Sequence, residues 1–310
     1  MAKIGNSELE VYGLNLGGNV FGWTADEAQS FAVLDAYVAA GGNFVDTADV
    51  YSAFAEGNSG GESETIIGNW LARRGRRDDV VIATKVGAWE RHRGLSAANI
   101  REAAEDSLRR LRTDHIDLYY AHYDFPDDPL EETLAAFDEL VRAGKVRYIA
   151  ASNYKADRLA EALSISDREG FARYVALQPH YNLVERGFEE ELAPLVAREG
   201  LSTLPYYGLA KGFLAGKYRS KDAAGDSPRA GGALSYLDER GERVLAALDA
   251  VADAHRVPVA AVSLAWLAAQ PTVAAPIASA RNLEQLEGIL PAVGLKLSDE
   301  ELKSLTDASS

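Results

Sequence analysis

The chain has 310 residues, 47% of them hydrophobic and 25% charged, with no cysteine and a formal charge of −15 from 32 basic and 47 acidic side chains. A chain of this length can bury ample core without a staple, and the missing cysteines exclude a disulfide framework, a thiol nucleophile and any thiolate metal site. The acidity argues against nucleic acid or an anionic membrane surface as a partner. The opening MAKIGNSELEVYG lacks an apolar signal region, and no run approaches the ~18 apolar residues of a membrane span, so a cytoplasmic location is expected.

In chain order, residues 1–12 carry the turn residues Gly5 and Asn6 and read as a hairpin over one end of the fold. Short apolar runs then alternate with segments of helical period. The strand Leu14–Gly17 precedes a helix over Ala25–Ala40, and Asn43–Asp46 precedes Glu62–Arg74. Next come Val80–Lys85 with Ala97–Leu111, Asp117–His122 with Leu130–Ala143, and Val146–Ser152 with Lys155–Ser164. Val175–Gln178 leads to Phe188–Glu199. Ser202–Tyr206 is followed by a Gly-, Ala- and Ser-rich loop over Ser220–Ser235, then by helices Asp238–His255 and Val259–Ala269. Val273–Ile277 and a helix over Leu283–Leu290 close the series. Ser96 suits a helix N-cap, Gly144 a C-terminal stop and Pro258 a first turn.

Length alone would allow two domains of ~150 residues. Strand–helix repetition around eight strands instead predicts one domain over residues 1–310, an α/β fold of the eight-stranded parallel (β/α) TIM type with an N-terminal hairpin and extra helices. The competing open doubly wound sheet would carry G-x-G-x-x-G after its first strand, and none is present.

In such a barrel, chemistry sits at the C-terminal ends of the strands. Asp46, Lys85 and His122 end three adjacent predicted strands, and Tyr51 follows Asp46 by five residues. Taken singly, each has a bland reading: a turn cap, a packed ring, a solvated cation, a satisfied core histidine. Together on one rim they read as a proton-delivery set. A free tyrosine is a sluggish acid near neutrality. A neighbouring lysine is expected to lower its pKa, a carboxylate to orient the lysine, and a histidine to bond a carbonyl oxygen. The five histidines (92, 115, 122, 180 and 255) never form close pairs, so no metal site is expected. A Schiff-base lyase using Lys85 remains a chemical alternative.

FVDTADVYS, GESETIIGNWL, IATKVG, IDLYYAHYDFPDDPLEETLAAFDELVRAGKVRYIAASN, LQPHYNLVER, PYYGLAKGFLAGKY and APIASARNLEQLEG occur in that order. With these motifs the chain resembles the aldo-keto reductase superfamily from about Leu14 to Leu290. Leu214–Tyr218 (LAGKY) and the long loop beyond it resemble the bacterial and potassium-channel-β-subunit-like branch. The resemblance implies a barrel that binds NADP(H) in an extended pose, with Asp46, Tyr51, Lys85 and His122 as the catalytic tetrad. It implies that Ser152, Asn153 and Gln178 hold the carboxamide and Tyr206 stacks on the nicotinamide. Leu209, Gly212 and Leu214 would wrap the pyrophosphate, and Ser279, Arg281 and Gln285 would hold the adenosine end. The chain departs from the family pattern at Ala151, Tyr207-Gly208, Ala278-Ser279 and Ile289, all in the cofactor regions.

Arg281 also stands just before a helix opened by Asn282, with Gln285 in capping-box spacing, where a guanidinium can read a phosphate. Phe21, Trp23, Trp89 and Tyr123 fall in loops after strands and are expected to wall an apolar substrate pocket. Asp124–Asp128 reads as a solvated loop, and Arg73–Arg77 as compensation of a helix C-terminus. The expected activity is NADP(H)-dependent reduction of a small aldehyde or ketone, with no nucleic acid, membrane or metal involved. The alternative is an NADP(H)-binding regulatory subunit of weak activity.

Overall fold

The computed structural model describes residues 1–220 and 230–310. Its eight-stranded sheet contains β3 (Asn15–Gly17), β4 (Phe44–Asp46), β5 (Val81–Val86), β6 (Ile116–Ala121), β7 (Val146–Ser152), β8 (Tyr174–Gln178), β9 (Ser202–Thr203) and β10 (Ile277–Ala278). Every pairing is parallel and β10 lies beside β3, so the order is β10-β3-β4-β5-β6-β7-β8-β9. Backbone bonds from Thr203 N–H to Thr272 O, from Ala274 N–H to Thr203 O and from Ile277 N–H to Pro205 O join the two ends, so the sheet curls into a barrel.

Around it lie α1 (Glu27–Ala39), α2 (Glu62–Arg74), α3 (Ala97–Leu111), α4 (Leu130–Arg142), α5 (Ala156–Glu169), α6 (Leu192–Arg198), α7 (Ala230–Leu234), α8 (Glu239–His255), α9 (Val259–Ala268), α10 (Leu283–Ile289) and α11 (Asp299–Ala308). Their starts follow from side chains that accept otherwise orphaned N–H groups. Asp26 and Gln29 make a reciprocal capping box, as do Ser298 and Glu301, while Ser96 and Asp238 cap α3 and α8. None of the described helices is long and apolar enough to cross a membrane.

Period-two alternation divides the core. One set of residues faces the helices; the other, including Phe44, Ala83, Leu118, Tyr120, Ala150 and Ala176, fills the barrel. The predicted hairpin is present as β1 (Ala2–Lys3) paired antiparallel with β2 (Glu10–Val11). Its Ile4, Leu9 and Val11 pack on the inner cluster and close the floor. Gly5 is required there: its φ is +46°, and a Cβ would lie 2.3 Å from Val175 O.

Three expectations need correction. The last strand pairs at Ile277–Ala278 rather than over Val273–Ile277, because Pro276 has no N–H to give a ladder and the chain before it bonds to Thr203 instead. Within the loop expected over Ser220–Ser235, Ala230–Leu234 is helical, while residues 221–229 lie outside the described residues. Helix α11 has no counterpart among the predicted elements, although Ser298 and Glu301 are a sequence-readable cap. The Arg73–Arg77 cluster also does more than offset a helix end: Arg73 pairs with Asp35, Arg74 with Asp79 and Arg77 with buried Asp117.

Candidate active site

The same alternation positions the site. Phe44, Ala83 and Tyr120 face the barrel interior, and two residues further along each strand that face presents Asp46, Lys85 and His122. All three are buried. Lys85 Nζ is the hub, donating to Asp46 Oδ2 at 2.6 Å, to the Thr47 carbonyl at 2.7 Å and to the Tyr51 hydroxyl at 2.9 Å. Three acceptors for three ammonium protons are what permit a cation here. Asp46 Oδ1 accepts from Gln178 Nε2 at 2.9 Å. The Tyr51 hydroxyl points toward Asp46 Oδ2 across 3.4 Å, a long bond that holds the phenol proton weakly.

Burial sets the protonation states. It pushes Tyr51 well above the usual phenol range, and the nearby Asp46 charge adds to the effect. Tyr51 thus stands as a protonated phenol, with the Lys85 ammonium beside its oxygen. Burial draws Lys85 below its ordinary value against the pull of Asp46. Burial, helped by Lys85, holds His122 well below the usual histidine range, so its imidazole is neutral. His122 Nδ1 has no hydrogen-bond partner, and the ring meets Tyr51 edge-on at 6.1 Å.

Four further predicted residues join this cluster. Ser152 Oγ donates to Gln178 O at 3.0 Å. Asn153 donates from Nδ2 to His122 O at 3.0 Å and accepts from the Tyr206 hydroxyl at 2.8 Å. Its φ of +57° is a conformation Asn tolerates better than most residues. Tyr206 stacks on His180 at 5.2 Å and 12°. Ser152, Asn153, Gln178 and Tyr206 thus form one hydrogen-bonded arc with the tetrad.

The other predicted contacts stand outside that arc. Leu209, Gly212 and Leu214 lie in or beside the turn Ala210–Ala215, where Ala210, Lys211 and Gly212 have φ of 45°, 60° and 101°. The Leu214 side chain is buried, its carbonyl accepts from Ser263 and its N–H donates to Leu209 O. Ser279 donates to Asn19 Oδ1, while Gln285 Oε1 accepts from Arg281 N–H at 3.2 Å. The exposed Arg281 guanidinium makes no ion pair among the described residues.

The four aromatic candidates divide. Tyr123 is 46% exposed and lies parallel to His122, 5.0 Å away and 8° inclined. Trp23 is half-buried against Phe54. Phe21 is fully buried in the core, and buried Trp89 donates to Ser59 O beneath the loop after β4. Those two rings are packed into the rim, with almost no surface open to solvent. The Asp124–Asp128 run is likewise more than a solvated loop, since Asp124 pairs with Arg158 and Asp128 accepts from Leu95 N–H.

Several residues escaped sequence reasoning. Asp49 is buried with both carboxyl oxygens unpartnered, and burial, then the charge of Glu64, holds its pKa well above the usual carboxylate range. Glu64, also buried, accepts from Thr84 at 2.6 Å and from Arg110 at 2.6 Å. His180, Tyr207 and Phe54 are the others. Among the described residues, no group of three or more His, Cys, Asp or Glu is arranged to hold a metal ion.

A curled parallel barrel with a buried Asp–Lys–Tyr–His set at its C-terminal rim is the architecture of a barrel oxidoreductase. The family model "Aldo/keto reductase family" matches residues 13–310. The chain is 35% identical to "Protein tas" of Escherichia coli (strain K12), covering 98% of this chain and 95% of that protein. It is 36% identical to the oxidoreductase YrpG of Bacillus subtilis (strain 168), covering 98% and 94%. Identity to norsolorinic acid reductase B of Aspergillus parasiticus is 32%, covering 94% and 77%. The chain belongs to the aldo/keto reductase family.

Proposed function

We propose that the chain is a single-domain, cytoplasmic NADP(H)-dependent reductase of small aldehydes or ketones, with Tyr51 as the proton donor. The observation that carries this reading is the triple contact of Lys85 Nζ with Asp46, Thr47 and Tyr51. It places a protonated phenol beside a buried cation at the rim.

The residues present fit a phosphate-bearing dinucleotide. Two cations near the last strands, Lys211 and Arg281, make no ion pair among the described residues of a chain that carries −15 overall. Ser152, Asn153 and Gln178 would hold the carboxamide, Tyr206 would stack on the ring, the turn carrying Leu209, Gly212 and Leu214 would wrap the pyrophosphate, and Ser279, Arg281 and Gln285 would hold the adenosine end. When bound, the reduced nicotinamide supplies the hydride.

The protein's own part is acid catalysis. The neutral His122 imidazole is placed to donate a hydrogen bond to the substrate carbonyl oxygen and orient it. The Tyr51 hydroxyl delivers its proton to that oxygen as negative charge develops there. The phenolate left behind is stabilised by the Lys85 ammonium, 2.9 Å away. Asp46 keeps that ammonium charged and aimed. The alternative, an NADP(H)-binding regulatory subunit of weak activity, needs the same pocket but no turnover.

Loss of NADPH absorbance across a panel of carbonyl compounds tests the reading. Turnover that disappears in Tyr51→Phe supports it. Cofactor binding without turnover on any carbonyl favours the regulatory alternative.

A further inference from the structure

The loop after β4 is braced from within by several of its polar side chains, while Glu56 and Ser59 face solvent. Ser52 Oγ donates to Phe21 O at 2.8 Å, and Asn58 Nδ2 donates to Gly22 O at 2.7 Å and to Ser52 O at 3.0 Å. The Glu62 carboxylate accepts the Ser59 and Gly60 N–H groups. Trp89 supports the loop from below through Ser59 O, close enough that a Cβ on Gly60 would lie 2.4 Å from its ring. At the centre of this braced segment, Phe54 is 63% exposed.

Phe54 is not alone. Its ring meets Trp23, in the loop after β3, edge-to-face at 4.8 Å and 87°. The Ser52 and Asn58 bonds to Phe21 O and Gly22 O lock the two loops together, so the two rings form a fixed right-angled corner. Phe54 follows Tyr51 by three positions, placing the corner on the same rim as the tetrad. Tyr123, parallel to His122, extends a second flat surface outward from that cluster.

We infer that Phe54, held edge-to-face against Trp23, is a specificity-determining residue that receives the distal ring of a neutral, flat aromatic carbonyl substrate of at least two fused rings. The inference rests on the reductase reading and deepens it. Two aromatic rings at right angles offer a third ring both an offset stack and an edge contact, the two arrangements aromatic groups prefer. Such a corner gives little to a sugar or a short aldehyde, whose binding needs hydroxyl partners or no outer contact at all. The loop's Ser52, Asn58 and Glu62 side chains are already engaged in bracing it.

The test compares 2-naphthaldehyde with propanal as substrates, and measures binding of the non-reducible 2-naphthalenemethanol by calorimetry in the presence of NADPH, a pair between which no hydride can pass. Phe54→Ala removes an exposed ring and is suited to leave the fold intact. Its kcat/KM for 2-naphthaldehyde should fall about tenfold relative to that for propanal, mainly through KM, and naphthalenemethanol binding should weaken by a similar factor. Phe54→Tyr, which keeps the ring, should restore most of both. Equal losses for the two aldehydes would mark a merely structural role and overturn the inference, as would unchanged naphthalenemethanol affinity. A change in oligomeric state in Phe54→Ala, with substrate preference intact, would assign the ring to a contact between copies and overturn it too. If naphthalenemethanol binds and Phe54→Ala weakens it while no carbonyl is reduced, the corner stands and the reductase reading falls.

Discussion

Lys85 Nζ on β5 lies 2.6 Å from Asp46 Oδ2 on β4, and neither side chain reaches solvent. A buried pair of this kind is costly to break, because the surviving partner is left charged without compensation. Lys85→Met should therefore destabilise the fold by about 3–5 kcal/mol, the usual cost of orphaning a buried charge. It should also shift the pH profile of reduction, since the phenolate loses its nearest cation. Asp46→Asn should shift the profile less, because Lys85 keeps its contacts to Thr47 and Tyr51. Denaturant melts and pH–rate profiles of both variants check this; an unchanged rate and optimum in Lys85→Met would make the lysine a structural cation only.

Tyr51→Phe keeps the ring and removes the proton. Turnover should drop by roughly 10²–10⁴, the range general acid catalysis supplies, while NADPH affinity stays near that of the native protein. Steady-state rates beside a cofactor titration separate the two.

Tyr206 lies flat on His180, and its hydroxyl is tied to Asn153. Tyr206→Ala should weaken cofactor binding by about 1–3 kcal/mol, taking base–aromatic stacking as the scale. Quenching of intrinsic fluorescence on adding NADPH to the apo protein reports it. Affinity equal to that of the native protein would mean that Tyr206 only fills the barrel top.

Arg281 tests which nicotinamide nucleotide is used. A charge-assisted contact to the 2′-phosphate is worth about 1.5–3 kcal/mol. Arg281→Ala should thus lower the NADPH-over-NADH efficiency ratio by roughly 10- to 100-fold, with NADH kinetics little changed. A native protein that prefers NADH would rule out phosphate reading by this arginine.

Asp49 gives a prediction on stability. Its folded pKa lies above the ordinary carboxylate value, so above about pH 4, where the unfolded chain releases that proton, the folded state keeps it. The native protein then loses stability as pH rises, by at most about 1.4 kcal/mol per pH unit for one proton. Asp49→Asn has no proton to retain and should gain on the native protein between pH 5 and pH 8. Thermal melts at the two pH values decide it; a constant difference would show that Asp49 ionises normally.

The tetrad was legible because strand ends are readable: a two-residue period carries Phe44 to Asp46, Ala83 to Lys85 and Tyr120 to His122 on one face. Loops have no such period. That is why the sequence does not separate the buried Phe21 and Trp89 from the exposed Tyr123, or mark Phe54 as an exposed ring. Asp49 sits in an apparent turn, and nothing local distinguishes a solvated aspartate from one sealed behind Glu64 and Arg110. The protonation of Tyr51 is less legible for a related reason. The lysine beside it was visible in the pattern, but the extent of desolvation is a property of the packed barrel.

The floor of the barrel has a consequence for synthesis. Gly5 N–H donates to Ser202 Oγ, and Glu8 N–H to the Tyr148 hydroxyl. Residues 1–12 are made before β7, β8 and β9, and therefore find their partners only once those strands have followed. Until then the hairpin's Ile4, Leu9 and Val11 have no complete apolar bed, and the growing chain carries an unplugged, half-formed sheet for most of its translation. An amino-terminal fusion that holds residues 1–12 away from the closing barrel should accordingly lower the yield of folded protein, whereas a carboxy-terminal one leaves that last docking step untouched.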